Sequence, residues 1–226
     1  VSQFKHIFSV RRVSILRVGL LLATLGSGAA WSQSKSGWYV AGTVGAASQG
    51  DRELVLSGSP NLSRSIGLDP GLFAGGSFGY EFATGWRVET DFAYQSSDYS
   101  NVDFGTGRPS GSGNYASTSV ALSALYQFNL LGSEKVRSYL GVGVARLTEV
   151  DIDIERAGTE LSYSGSDTGL QWQLGARYDL SERTFLDVGF RQLLAKDVRL
   201  EQEGGTGVIT ADYKPWSATV SFGFRF

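Results

Sequence analysis

The chain has no cysteine, and its one histidine, His6, falls within the first thirty residues. The first absence removes disulfides, so an exported chain of this size must hold its fold without them. If the first thirty residues are removed on export, neither imidazole nor thiol remains. That excludes most hydrolase and transferase mechanisms, because activating Ser or Cys ordinarily needs a histidine base. No acid precedes Asp51. No apolar run approaches the ~20 residues that a membrane-spanning helix requires. Methionine is also missing, and Val1 at the start fits a non-standard start codon read literally.

What the N-terminus does contain is Lys5, Arg11, Arg12 and Arg17, then the apolar run "VGLLLATLG" (18–26) and the small residues "SGAA" before Trp31. A basic segment, a short apolar segment and a small-residue stretch make a secretory signal, with cleavage expected after Ala30 or a few residues later. A retained anchor is disfavoured because Gly26 and Gly28 interrupt the apolar run. The Arg11-Arg12 pair leaves twin-arginine export as a minor option. Removal of residues 1–30 deletes four bases and no acid, so the formal charge moves from −2 to −6, sixteen bases against twenty-two acids. Nucleic acid is therefore not an expected partner. Residues 31–226 fit one domain.

That domain alternates. Strands are predicted at about 37–48, 72–82, 86–96, 116–128, 136–147, 168–180, 184–194 and 216–226, each with period-2 polarity. Apolar residues fall mostly on even numbers: Trp38, Val40 and Val44 in the first segment, Leu170, Trp172 and Leu174 in the sixth, Phe222, Phe224 and Phe226 in the last. The odd positions carry Glu81, Arg87, Glu89, Asp91, Arg137, Arg177, Asp179, Asp187, Arg191 and Arg225, five acids and five arginines, with small residues such as Gly75, Gly79, Gly143, Gly175, Gly189 and Gly223 between them.

Alternation alone does not say which face is enclosed. A soluble lipocalin-like barrel buries the apolar face, and an outer-membrane barrel turns it to lipid. A solvated face has no reason to be crowded with glycine. An enclosed face needs small residues for space and balanced charges, because an unpaired buried charge is costly, and arginine suits pairing through its planar fork. The polar face is therefore expected inside. Short connections (83–85, 129–135, 181–183) alternate with long ones (49–71, 97–115, 148–167, 195–215), as periplasmic turns and extracellular loops do. Trp38, Phe82, Trp86, Tyr126, Phe128, Tyr178 and Phe226 then fall at one height and Tyr94 and Trp216 at the other, forming two aromatic girdles. The expected fold is all-β, an eight-stranded antiparallel up-and-down transmembrane barrel.

With "GWYVAGTVGAA", "WRVETDFAY", "SYLGVGVA", "LQWQLGARYDLSERTFLDVGFR" and a closing aromatic, residues 31–226 resemble the small outer-membrane barrels of Gram-negative bacteria, the OmpA-like and opacity-type porin-like proteins. The resemblance implies that the last strand, through Phe222, Phe224 and Phe226, is read by the barrel-assembly machinery. It also implies contact with outer-membrane lipid and lipopolysaccharide. No peptidoglycan-binding domain is expected after the barrel, and with it the anchoring role of longer relatives is not expected.

Three further stretches carry candidate chemistry. Asp151, Asp153 and Glu155 in "VDIDIE" share one face of the fifth strand continued above the membrane. They are a weak metal candidate, because the sequence supplies no cage of closely spaced oxygens for calcium. The stretch "GTGRPSGSG" (105–113) lacks the Lys-Ser/Thr ending of a phosphate loop and reads as a loop tip. The odd-face charges read as a structural network filling a narrow lumen, although the glycines leave room for water-filled gaps and a small conductance. The expectation is a monomeric, non-enzymatic surface protein without cofactor whose long loops meet extracellular ligands. A low-conductance channel is the alternative and a soluble lipocalin-like barrel the remote one.

Overall fold

The structure, a computed structural model, describes residues 36–48, 52–56, 63–67, 70–99, 101–102, 112–156, 159–202 and 204–226. The expected signal at 1–30, the Arg11-Arg12 pair and loop residues 105–111 lie outside them. Twelve strands follow in order: β1 (Gly37–Ser48), β2 (Arg52–Leu56), β3 (Ser63–Gly67), β4 (Gly71–Glu81), β5 (Trp86–Tyr99), β6 (Asn101–Val102), β7 (Ser112–Phe128), β8 (Val136–Arg156), β9 (Thr159–Asp179), β10 (Thr184–Gln202), β11 (Val208–Tyr213) and β12 (Trp216–Arg225). Eight of them close a ring of antiparallel neighbours, β1-β4-β5-β7-β8-β9-β10-β12, with β12 pairing β1 to complete it.

A circuit through paired residues leaves β10 at Thr184, passes Phe224, Val40, Phe78, Thr90, Leu122, Val144 and Leu170, and returns to β10 at Leu194. That stagger of ten residues over eight strands sets a tilt of about 40° and leaves an interior only wide enough for side chains.

The polarity of the ring is that of a membrane barrel. Even positions are exposed, among them Val44, Phe92, Leu122 and Leu170 at 58–64% of their full accessibility. The odd positions Glu81, Arg87, Arg137 and Arg177 are buried. A soluble barrel would have the reverse arrangement, so the lipocalin-like alternative does not hold.

The strands outrun their expected lengths. β8 and β9 have 21 residues each and β10 has 19. At 3.3 Å per residue and this tilt, the longest reach about 50 Å, twice the ~25 Å apolar band of a barrel. Most of the segments expected as loops at 148–167 and 195–215 are therefore strand, and in 97–115 so are residues 97–99, 101–102 and 112–115. β11 pairs with the upper part of β10 and with β2, β2 with β3, and β3 with β6, so the wall continues above the membrane.

Two β-bulges mark the change of level. In β8, Leu147 pairs Asp167 while Val150 pairs Gly165, so Thr148 and Glu149 together oppose one residue of β9. In β10 the register slips by one between Ala195 and Val198, where Asp197 adopts φ 55°. Each bulge turns two consecutive residues outward and reverses the parity beyond it. Leu147 and Ala195 point inward from odd numbers, and Val150, Val198 and Leu200 do so from even ones.

Candidate functional site: the lumen

All eight ring strands send side chains into the end of the lumen nearest the short turns. Glu81 of β4 is the hub. It accepts hydrogen bonds from Arg177, from Arg225 Nε at 2.8 Å and from Gln127 Nε2 at 2.8 Å. Arg177 also grips Asp187, donating from Nε at 3.0 Å and Nη2 at 2.6 Å. Arg137 binds both oxygens of Asp179 at 3.0 Å, and Arg225 donates to the same carboxylate at 2.8 Å. Arg87 lies 3.5 Å from Asp187 and 3.8 Å from Glu89, which also accepts from the Tyr39 hydroxyl. Arg191 donates to Asp91 at 3.1 Å, one level higher.

Of the ten odd-face charges, eight are buried, Asp179 and Arg191 are half-buried, and all ten join ion pairs with one another. Burial of charges on this scale is tolerable only with such mutual compensation, and five acids meet five arginines. The arginine forks also lie over rings: Arg177 is 3.5 Å from the Phe185 centroid, Arg87 4.6 Å from that of Tyr139 and Arg191 4.9 Å from that of Phe73.

These rings correct the reading of the glycines. The space above Gly79 holds the Tyr39 ring, that above Gly175 and Gly189 the Tyr139 hydroxyl, and that above Gly223 the Phe185 ring. A Cβ at Gly189 would come within 2.6 Å of Tyr139 Oη, closer than real Cβ contacts allow. The glycines are not water-filled gaps; they make room for aromatic side chains reaching across the barrel. Tyr39, Phe73, Tyr139 and Phe185 share the odd parity of the charges, which is the signal that marks them as lumenal.

A cavity of about 20 Å³ remains, lined by polar groups including Thr43, Arg87, Asp91, Gln173 and Ser221. That is room for a single water molecule. Arg87 Nε, Asp91 Oδ2 and Gln173 Nε2 make no hydrogen bond to the protein and belong to residues around this cavity.

Above the charges lies a different interior. Tyr115, Leu147, Val150, Tyr163, Val198, Leu200 and Tyr213 are buried in a single apolar cluster with their neighbours. The Tyr115 and Tyr213 rings stack at 5.8 Å, and the Tyr213 hydroxyl meets Ser117 Oγ at 2.5 Å. The sequence pattern continues β8 above the membrane only as an exposed acidic strand, so it gives no sign of this cluster. Only the bulges bring its even and odd members together.

Among the described residues no three His, Cys, Asp or Glu side chains gather to hold a metal ion. Asp151 is half-buried and accepts from Ser162 Oγ at 3.5 Å. The backbones of Asp153 and Glu155 continue β8, paired with Ser162 and Glu160, and their side chains lie outside the described part. On the outer wall, Trp38 stacks on Phe78 near the short turns. Toward the other rim Phe190 sits between Trp172 and Trp216, 5.5 and 5.7 Å away, so the second girdle holds more than Tyr94 and Trp216. The terminal Phe222, Phe224 and Phe226 are exposed on the same outer wall.

The sequence profile of the outer membrane protein β-barrel domain matches residues 18–226. The chain belongs to that family. It is accordingly an outer-membrane barrel, and the exposed apolar wall is the face that lipid covers. Among solved structures, OprG from Pseudomonas aeruginosa superimposes with a TM-score of 0.64 at 18% identity, over 87% of this chain and 99% of that one. The outer membrane protein AlkL, solved in lipid bilayers, gives 0.53 at 19% identity over 88% and 94%. These likenesses bear on the fold. No protein with a curated description matches the chain by sequence.

Proposed function

We propose that the chain is a closed, non-catalytic outer-membrane barrel whose working surface is the wall it raises above the bilayer, where it meets extracellular ligands. The observation that carries this reading is the blocked lumen. Ion pairs and aromatic rings from all eight strands occupy the lower end and leave a cavity of about 20 Å³. A path for hydrated ions would have to break charge-assisted hydrogen bonds that are individually strong and mutually dependent. The test is conductance of the purified, refolded chain in a planar bilayer. Baseline current is expected, and sustained discrete steps would replace this reading with the low-conductance channel.

Assembly is expected to run through β12, which displays Phe222 and Phe224 to the outside, and through Phe226 beside it. Phe226→Ser should leave export intact and lower the amount of folded, heat-modifiable protein in the outer membrane. Unchanged folded yield would remove the assembly role.

A further inference from the structure

One sector of the outer wall changes from apolar to basic and then acidic within a few residues. On β8 the outward side chains run Val144, Arg146, Thr148, Glu149, and on β10 they run Leu194, Lys196, Asp197. Between the two strands lies β9, with Leu170 then Thr168. Arg146 pairs directly with Thr168, and Lys196 stands two residues beyond Leu194, the partner of Leu170. The two cations therefore flank one strand, separated by two interstrand spacings, about 10 Å.

Both cations are exposed, and neither forms an ion pair among the described residues. The Arg146 guanidinium is steadied by neutral hydroxyls, Thr168 Oγ1 at 3.2 Å and Ser166 Oγ at 3.0 Å, which leave its charge uncompensated. The neighbouring base Lys214 pairs with Asp212, whose carboxylate also lies within electrostatic reach of Lys196 without forming an ion pair with it. The stagger of the ring places Arg146 near the level of Trp216, in the interfacial girdle. The facing sector of β1, β4, β5 and β7 presents Ser48, Leu72, Tyr94, Ser96 and Thr118 at that level, with no base among the described residues.

We infer that this sector docks a phosphorylated lipid of the outer leaflet, its phosphate held between Arg146 and Lys196 and its chains lying on Val144, Leu170 and Trp172. Side chains of this length reach a common phosphate across 10 Å, and arginine offers it a two-pronged donor. The order along the strands fits an amphiphile: an apolar surface for the chains, bases at headgroup height, and carboxylates only beyond them. The inference is independent of whether the lumen conducts.

The test uses the full refolded chain in phosphatidylcholine vesicles and compares the association of spin-labelled phosphatidic acid with that of spin-labelled phosphatidylcholine. Wild type should favour the phosphatidic acid by about thirtyfold, the scale for two bases near a membrane surface. Arg146→Gln with Lys196→Gln should bring the ratio to unity, whereas Lys135→Gln with Arg183→Gln at the opposite rim should leave it unchanged. Arg146→Lys, which keeps the charge, should retain most of the preference and guards against a folding defect in the glutamine variant. Millimolar inorganic phosphate should not displace the labelled lipid. A wild-type ratio of unity, a ratio that survives the double substitution, an equal loss in the opposite-rim control, or displacement by free phosphate would each overturn the inference.

Discussion

Leu174 and Leu200 lie on adjacent strands of one wall, yet Leu174 is 44% exposed on the outside and Leu200 is 1% exposed in the interior. The pair shows how one barrel uses two solvents. In the membrane section charges fill the lumen and apolar residues face out. Above the bulges the lumen is apolar, and Glu149, Lys196, Arg199 and Glu201 are exposed. In β8 and β10 one inserted residue moves the side chains beyond it to the opposite face, so Val150, Val198 and Leu200 join Leu147 and Ala195 inside. The upper section is built like a soluble barrel, whose core water drives together. The lower section gains nothing from hiding its leucines and is held by closed hydrogen bonding and lumenal ion pairs.

The largest separation of the two sections is expected from Glu81→Ala. It leaves Arg177 and Arg225 partly uncompensated in an enclosed space, and breaking a buried pair from one side costs about 3–5 kcal/mol. Urea unfolding of the refolded barrel should show that loss as a lower midpoint. Leu200→Ala should instead create a cavity in the upper cluster. Its cost of about 2–5 kcal/mol should appear as protease sensitivity above the membrane, while heat-modifiability on gels is retained. If Glu81→Ala left the midpoint unchanged, the ion pairs would not be what holds the lower section.

Much of this comparison was readable from the sequence, but only up to the bulges. Alternation located the eight strands because lipid and lumen impose strict period 2. The balance of arginine against carboxylate identified the enclosed face because a narrow lumen demands compensation. The upper section was hidden by the same regularity. After Leu147 and Ala195 the parity breaks, and a strand whose polarity reverses at one residue looks like the end of a strand. Asp197 gives little warning, since aspartate is common in ordinary turns. Tyr39, Tyr139 and Phe185 were legible as odd-numbered residues, but a rule that sorted positions into charged or small left no place for them.

The next effect is positional. The chain lacks cysteine, so single introduced thiols report cleanly. A fluorophore on Leu174→Cys should be quenched by a lipid-soluble quencher and one on Gln173→Cys should not. In the upper section Arg199→Cys should react with a water-soluble thiol reagent and Leu200→Cys should resist it. The polar position is thus protected below the bulge and the apolar one above it. Arg at Leu174 should cost about 2–4 kcal/mol, the scale for a cation at mid-membrane on the lipid face. Equal labelling of Arg199→Cys and Leu200→Cys would mean that the upper wall does not enclose an apolar core.

The smallest effect concerns pH and separates the exposed ion pairs above from the buried ones below. The Lys214 ammonium donates to the Asp212 carboxylate, and the Asp197 backbone N–H adds a second hydrogen bond at 3.2 Å; these hold the Asp212 carboxyl below its usual range. A carboxyl depressed by folding contributes stability that is present above its unfolded value, near 3.8, and is lost as pH falls through the folded one. Asp212 is largely exposed, so solvent screening limits its share to about a few tenths of a kcal/mol. Amide protection factors in β10 and β11, taken relative to the intrinsic exchange rate at each pH, should therefore fall slightly more in wild type than in Asp212→Asn as pH drops from 5 toward 3, while the membrane strands respond alike in both. Parallel profiles in β10 and β11 would show that this pair does not brace the bulge at Asp197.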